Sequence, residues 1–339
     1  MGASLDYIVI GQGLAGTLCS FELIKLGKRL RVIDAFQKDS PSRIAAGLMS
    51  PVTGQRTALH WNAPELLAQA RATYGELEQR LSRTFYFPIP LLRIYTSQEQ
   101  RRRFRSRALE APFKAWLGGE LDPQELERRG LRGPLGARVI LGAGWLDCAG
   151  LVAAWRDELK NLGVLEERES SAQDLNEARV VTCAGLRERD EGFFKNLKFQ
   201  PTKGELLEIE EPRADAASIY QGSYFAIPLG SGRWKLGATY DRSDFDTKPT
   251  PGALETLSKG AAGLFKSGTV LRSHKAGIRP NLLGHFPVLG ALPERPGRFI
   301  FNGLGSKGAL WGPYCAKVLV EHMEKGRELP ASLDVNRFK

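Results

Sequence analysis

The opening of the chain narrows the possible folds more than any other segment. Tyr7-Ile8-Val9-Ile10 reads as a short buried strand and Gly11-Gln12-Gly13-Leu14-Ala15-Gly16 as a glycine turn. Thr17 to Leu26 reads as a helix with an apolar face, stopped by Gly27, and Leu30-Arg31-Val32-Ile33-Asp34 as a second strand. A Gly-x-Gly-x-x-Gly string is weak by itself, since 37 glycines in 339 residues give about 0.4 chance matches. Its place between a strand and a helix, with Asp34 lying 18 residues after Gly16, makes it specific. Gly11 permits the tight turn, Gly13 lets the backbone approach a pyrophosphate, and Gly16 lets helix and strand pack closely. Leu14 and Ala15 lie in the turn just before the helix start, whose free N–H groups and positive dipole end suit phosphate. Asp34, followed by Ala35, can accept hydrogen bonds from both hydroxyls of a ribose, and an acid there disfavours a 2′-phosphate.

The length suits one large domain or two interleaved ones. Helices are expected over Glu65 to Ser82, over the charged stretch Gln98 to Leu109, and over Ala149 to Leu162. Residues 85–96 read as a strand with prolines, and Val164 to Arg168 as another. Ala178 to Thr182 reads as a buried strand ending in Cys183-Ala184-Gly185. Between 200 and 240 the alternation and aromatics predict antiparallel sheet over Gly204–Glu210, Tyr220–Pro228 and Trp234–Tyr240. A helix is expected around Gly252 to Lys266 and a strand over Arg298 to Asn302. The fold class is therefore α/β: a Rossmann-like nucleotide-binding domain interleaved with a mixed, largely antiparallel substrate sheet. The expected division gives 1–82, 144–197 and 273–339 to the first domain, and 83–143 and 198–272 to the second.

A second glycine string, Gly303-Leu304-Gly305-Ser306-Lys307-Gly308, precedes a helix expected from Ala309 to Lys325. Only 31 residues follow Gly308, too few for a second dinucleotide unit. This helix start is expected to face the far end of the same cofactor, and FAD is long enough to reach from one turn to the other. Its dipole would stabilise negative charge on a reduced flavin ring. The lack of a nicotinamide domain argues that electrons come from a substrate and leave to oxygen or another acceptor.

Cys19, Cys148, Cys183 and Cys315 form no CxxC pair and the four histidines are dispersed, so neither a disulfide framework nor a metal site is expected. The same dispersed cysteines make a reducing, cytoplasmic location the expectation; no run approaches the length of a membrane span, and Met1 to Tyr7 carries no basic patch of a leader. The formal charge of +10 attracts polyanions or acidic substrates.

Taken together, these segments resemble the D-amino-acid oxidase superfamily of flavoproteins, near glycine and sarcosine oxidases. The resemblance rests on Ile8–Asp34, Ala45-Ala46-Gly47-Leu48-Met49-Ser50-Pro51, Val180–Gly185 and Leu236-Gly237-Ala238-Thr239-Tyr240, and on Ala276-Gly277-Ile278-Arg279-Pro280, Pro287–Gly290 and Asn302–Gly308. It spans nearly the whole chain and is weakest over 83–143. It implies FAD and oxidation of a C–N bond, the α-hydrogen leaving as hydride to flavin N5 and the imine then hydrolysing. It also implies that Arg279 fixes a substrate carboxylate. Tyr224 and Tyr240 are aromatic walls of the substrate site or plain sheet aromatics. Lys307 touches the flavin or its peroxide product, or is a solvated lysine. Arg43 reaches the pyrophosphate or is a loop arginine. Ala46, Gly47 and Met49 are implied flavin neighbours, and Cys183, Ala184 and Gly185 form the turn over the cofactor. FAD is expected to be noncovalent, because Cys315, in the last helix, does not match the cysteine that holds flavin in sarcosine oxidases.

Three activities stay open on these grounds. One is oxidation of a small amine or amino acid. The second follows from similarity to the oxidase half of the bifunctional enzyme that removes a carboxymethyl group from a tRNA wobble uridine. The arginine run Arg101-Arg102-Arg103 with Arg105 favours it, although such runs are commonly solvated helix faces. The third is an FAD-binding protein without catalysis.

Overall fold

The computed structural model describes residues 4–338 apart from 55, 171–173, 175–177, 192–193, 292 and 295. The first three residues, part of the start read above for a leader, lie outside the described residues. Among the described residues, one sheet has six strands in the order Leu165–Glu166, Leu30–Ile33, Tyr7–Ile10, Arg179–Thr182, Arg298–Asn302, Val288–Ala291. The first five run parallel and the last is antiparallel to its neighbour. Tyr7–Ile10 is buried along its whole length, as an apolar central strand covered on both faces must be.

The helices Leu14–Lys25, Ala63–Leu81, Cys148–Asn161 and Gly308–Lys325 share one core with this sheet. Asp147 caps the third of them by accepting from the Gly150 N–H at 3.0 Å. Gly27 and Gly326, both at positive φ, stop the first and last. A Cβ on Gly312 would stand 2.5 Å from Leu18 Cδ1, so the last helix lies tight against the first. Trp155 sits fully buried in this core and its indole N–H donates to Ser20 Oγ at 2.9 Å. Truncating so large a buried side chain costs about 3–5 kcal/mol.

The second large sheet runs Val270–Arg279, Thr202–Glu210, Arg233–Gly237, Phe225–Gly230, Ile219–Gln221, Leu91–Ile94, Ala137–Ile140, Leu117–Leu121. All its pairings are antiparallel except that between Ile219–Gln221 and Leu91–Ile94. Helix Pro251–Leu264 covers one face, where Leu257 and Ala261 meet Tyr220, Trp234 and Phe265. The opposite face turns toward the first sheet.

The expected strand Tyr220–Pro228 is two strands, because the chain turns at Gly222-Ser223-Tyr224. The stretch 85–96 likewise divides at Pro88 and Pro90 into Tyr86–Phe87 and Leu91–Ile94. Strand Val270–Arg279 crosses the expected border at residue 273, pairing with Thr202–Glu210 on both sides of a bulge at Arg272.

Candidate functional site

A cleft of about 560 Å³ lies between the two sheets and is lined by both glycine turns. At its first end, Gly11 has φ +94, and a Cβ there would stand 2.7 Å from the Cys183 carbonyl oxygen. The turn is thus pressed against the end of the neighbouring strand, and Cys183, Ala184 and Gly185 join Gly13, Leu14 and Ala15 in the wall. Helix Leu14–Lys25 has no acid in its first turn. Its Leu14 N–H donates to Ser42 Oγ at 2.9 Å. The Asp34 carboxylate accepts the Gln12 N–H at 2.8 Å and the Arg156 guanidinium at 2.8 Å. Arg156 is buried and also reaches Gln12 Oε1 and Glu167. That brace fixes the acid's orientation before any ligand arrives.

The middle wall is the segment Arg43 to Leu48, whose small residues let a planar group approach the backbone. A Cβ on Gly47, at φ +72, would stand 1.9 Å from the Leu146 carbonyl oxygen. Ala46 also lines the cleft. Arg43 lines it with its guanidinium 4.5 Å from the Phe36 ring centroid, and forms no ion pair among the described residues. Lys235 donates to the Ala45 carbonyl at 3.3 Å from behind this wall, and burial lowers its ammonium from the usual range.

At the far end, Gly303, Leu304, Gly305, Ser306, Lys307 and Gly308 all line the cleft. A Cβ on Gly305 would stand 2.2 Å from Asn281 Oδ1. Arg279 enters from the second sheet. Among the described residues its guanidinium donates only to the Thr239 and Lys203 carbonyls, at 3.3–3.4 Å, and burial lowers it from the ordinary arginine value. It makes no ion pair among the described residues. A half-buried cation held by long bonds to neutral carbonyls lacks an anion to complete it. Lys307, also without an ion pair among the described residues, is lowered by burial. His60, beside it in the wall, is pushed down to about 4 by burial and by the Lys307 charge.

Five expected residues do not line the cleft. Gly16 lies beneath it, where a Cβ would stand 1.8 Å from the Gly11 carbonyl oxygen, so its part is helix packing. Ala35 follows the acid without reaching the cavity. Met49 points into the core at 1% exposure, and Leu48, one residue before it, faces the cleft. Tyr224 lies against Gly260 of the covering helix, on the far side of the sheet from the cleft, which Phe225 lines instead. Met49 lies in the short strand Leu48–Met49 on the face opposite Leu48, and Tyr224 in the turn just before strand Phe225–Gly230, so each stands one residue from the side chain that lines the cleft. Tyr240 is 51% exposed and stands outside the wall, its ring centroid 5.7 Å from Arg279 Cζ. Conversely, Ser42, Arg156, His60, Lys203 and Lys235 carry no local sequence signal, since each is brought in by tertiary packing.

The residues present fit an extended FAD: two glycine turns bound one cleft, with an oriented acid at one end and an unpaired guanidinium at the other. A family model described as FAD dependent oxidoreductase matches residues 6–322. The chain belongs to this family of FAD-dependent oxidoreductases. It is 24% identical to a glycine oxidase of Bacillus licheniformis over 93% of this chain and 92% of that protein. It is also 24% identical to the tRNA 5-methylaminomethyl-2-thiouridine biosynthesis bifunctional protein MnmC of Marinobacter nauticus, over 93% of this chain but 55% of that protein. The fold matches the crystal structure of an iminodiacetate oxidase from Chelativorans sp. BNC1 with a TM-score of 0.79 at 22% identity, covering 98% of each chain. No described helix is long and apolar enough to cross a membrane, and the described residues hold no metal-binding cluster.

Proposed function

We propose that this flavoprotein oxidises the C–N bond of a small amine or amino acid that carries a carboxylate. The observation that carries this reading is Arg279, a half-buried guanidinium in the cleft with no anionic partner among the described residues. A carboxylate would complete it by a bidentate pair. Bound FAD supplies the two-electron acceptor. The chain's own contribution is placement: Gly11 to Ala15 would hold the pyrophosphate, Asp34 the ribose, and Ala46, Gly47 and Gly303 to Gly308 the flavin end. His60, neutral at pH 7, can accept a hydrogen bond without adding charge beside Lys307. Dry walls then make orientation the main catalytic term. The flavin is held noncovalently in this reading. Cys148, a thiol in the wall, is pushed up to about 12 by burial and stays protonated, and Cys315 is buried in the last helix. The two sheets would divide the labour, the first binding cofactor and the second substrate. Oxygen or another acceptor then takes the electrons.

A second reading, a tRNA wobble-uridine substrate, is favoured by the similarity to MnmC along 93% of this chain. An N-substituted glycine on a nucleoside would meet Arg279 in the same way. The arginine helix Gln98–Leu109 lends it less than its sequence suggests. Arg103 pairs with Glu99, Arg105 with Glu120 and Arg107 with Glu110, so most of its charge is neutralised.

The test is an anaerobic screen of the yellow protein with glycine, sarcosine, proline and iminodiacetate, following flavin absorbance. Bleaching by one of these supports the amine reading. Bleaching by undermodified tRNA alone, weakened by salt, supports the second. Bleaching by none of them overturns both and leaves a cofactor-binding protein.

A further inference from the structure

The loop from Tyr240 to Pro249 leaves the sheet beside Arg279 and ends where Thr250 caps helix Pro251–Leu264. It carries three carboxylates, Asp241, Asp244 and Asp246, against two cations, Arg242 and Lys248, and stays net negative close in sequence to Thr239, whose carbonyl accepts from Arg279 at 3.3 Å. Its Thr247 forms part of the cleft wall. An acidic loop is an odd neighbour for a guanidinium that must stay open to an anion. The neighbouring strand answers this with one lysine. Lys203 is 1% exposed, and its ammonium donates to Asp244 Oδ2 at 2.5 Å and to Asp246 Oδ1 at 2.7 Å. Its backbone pairs both ways with Asp241, N to O at 2.8 Å and O to N at 2.9 Å. The same Lys203 carbonyl also accepts from Arg279 at 3.4 Å. Two residues along, Glu205 grips the loop's other end, accepting from the Thr250 N–H at 2.8 Å and hydroxyl at 2.9 Å.

We propose that Lys203 is a positioning residue for substrate recognition: it clasps the 240–249 loop as a wall of the cleft and keeps Asp244 and Asp246 from capturing Arg279. Substrate charge selection then depends on a lysine that touches neither substrate nor cofactor. With the ammonium gone, two carboxylates lose their partner beside Arg279, a half-buried cation with no ion pair among the described residues. The inference rests on the reading of Arg279 as the carboxylate anchor.

Two measurements on the FAD-loaded protein test it. One is titration with acetate followed by the flavin absorbance, and the other is limited proteolysis of the 240–249 loop. Arg279→Ala serves as the control for the anchor itself. Lys203→Met is expected to weaken acetate about tenfold, to speed cleavage of the loop, and to raise KM for the amine found in the screen while moving kcat far less. Lys203→Arg restores all three. The triple variant Lys203→Met, Asp244→Asn, Asp246→Asn keeps the loop cleavable but recovers acetate affinity, because no carboxylate remains to compete. A merely structural lysine would not show that recovery. Equal acetate affinity in the parent and in Arg279→Ala overturns the anchor reading. Loss in Arg279→Ala with unchanged affinity and cleavage in Lys203→Met overturns the clasp alone. Failure of the triple variant to recover overturns the competition.

Discussion

Gly204 is the seat of the Arg279 guanidinium: a Cβ on Gly204 would stand 1.9 Å from Arg279 Nη2 and 2.2 Å from its Cζ. The two residues belong to paired strands, Thr202–Glu210 and Val270–Arg279, with Gly204 opposite Gly277. A bare backbone at 204 therefore lets a large cation lie flat on the sheet at the cleft.

Gly204→Ala is expected to displace Arg279 without removing it. Affinity for a carboxylate substrate should fall roughly tenfold or more while FAD stays bound, because the fault lies in orientation. The check is KM against kcat, with flavin content measured alongside. Unchanged KM would show that the guanidinium does not need this seat.

Gly11→Ala should yield a pale protein. The added methyl meets the Cys183 carbonyl at 2.7 Å, at a φ of +94 that L residues seldom adopt. FAD affinity, read by fluorescence titration of the apoprotein, is expected to drop at least about tenfold.

Arg156→Met removes the buried brace between Asp34, Gln12 and Glu167. Stability should fall by about 3 kcal/mol, since a carboxylate loses its partner. The expected result is a lower urea midpoint and weaker FAD binding together, and a change in neither would remove the brace from the account.

His60 gives a pH signature. The fold favours its neutral form, lowering it from 6.5 to about 4. Its contribution is complete above pH 6.5 and is lost as pH falls through 4, because the unfolded chain then binds the extra proton. His60→Gln should flatten the dependence of Tm on pH in that window.

Legibility followed the range of the interactions. The first strand, the glycine turn, Asp34 and the closing Gly303–Gly308 turn were readable because each is a local string whose chemistry depends on its own backbone. Strand Val270–Arg279 was not, since its exposed edge carries Arg272, Ser273, His274 and Lys275 in place of an apolar alternation. Met49 shows the limit of pattern, since strand parity is decided by which face the core takes, and Tyr224 shows another, since the turn at 222–224 that splits the expected strand sends its ring away from the cleft. Lys203 and Arg156 were invisible because their partners lie 41 and 122 residues away in the chain.

The most direct measurement is a crystal structure of the FAD-loaded protein with a bound carboxylate. The account predicts one FAD extended from the Gly11–Gly16 turn to the Gly303–Gly308 turn, and the carboxylate within hydrogen-bond distance of both terminal nitrogens of Arg279. A flavin ring lying away from the second turn, or an anion held by another cation with Arg279 still facing only the Thr239 and Lys203 carbonyls, would contradict it.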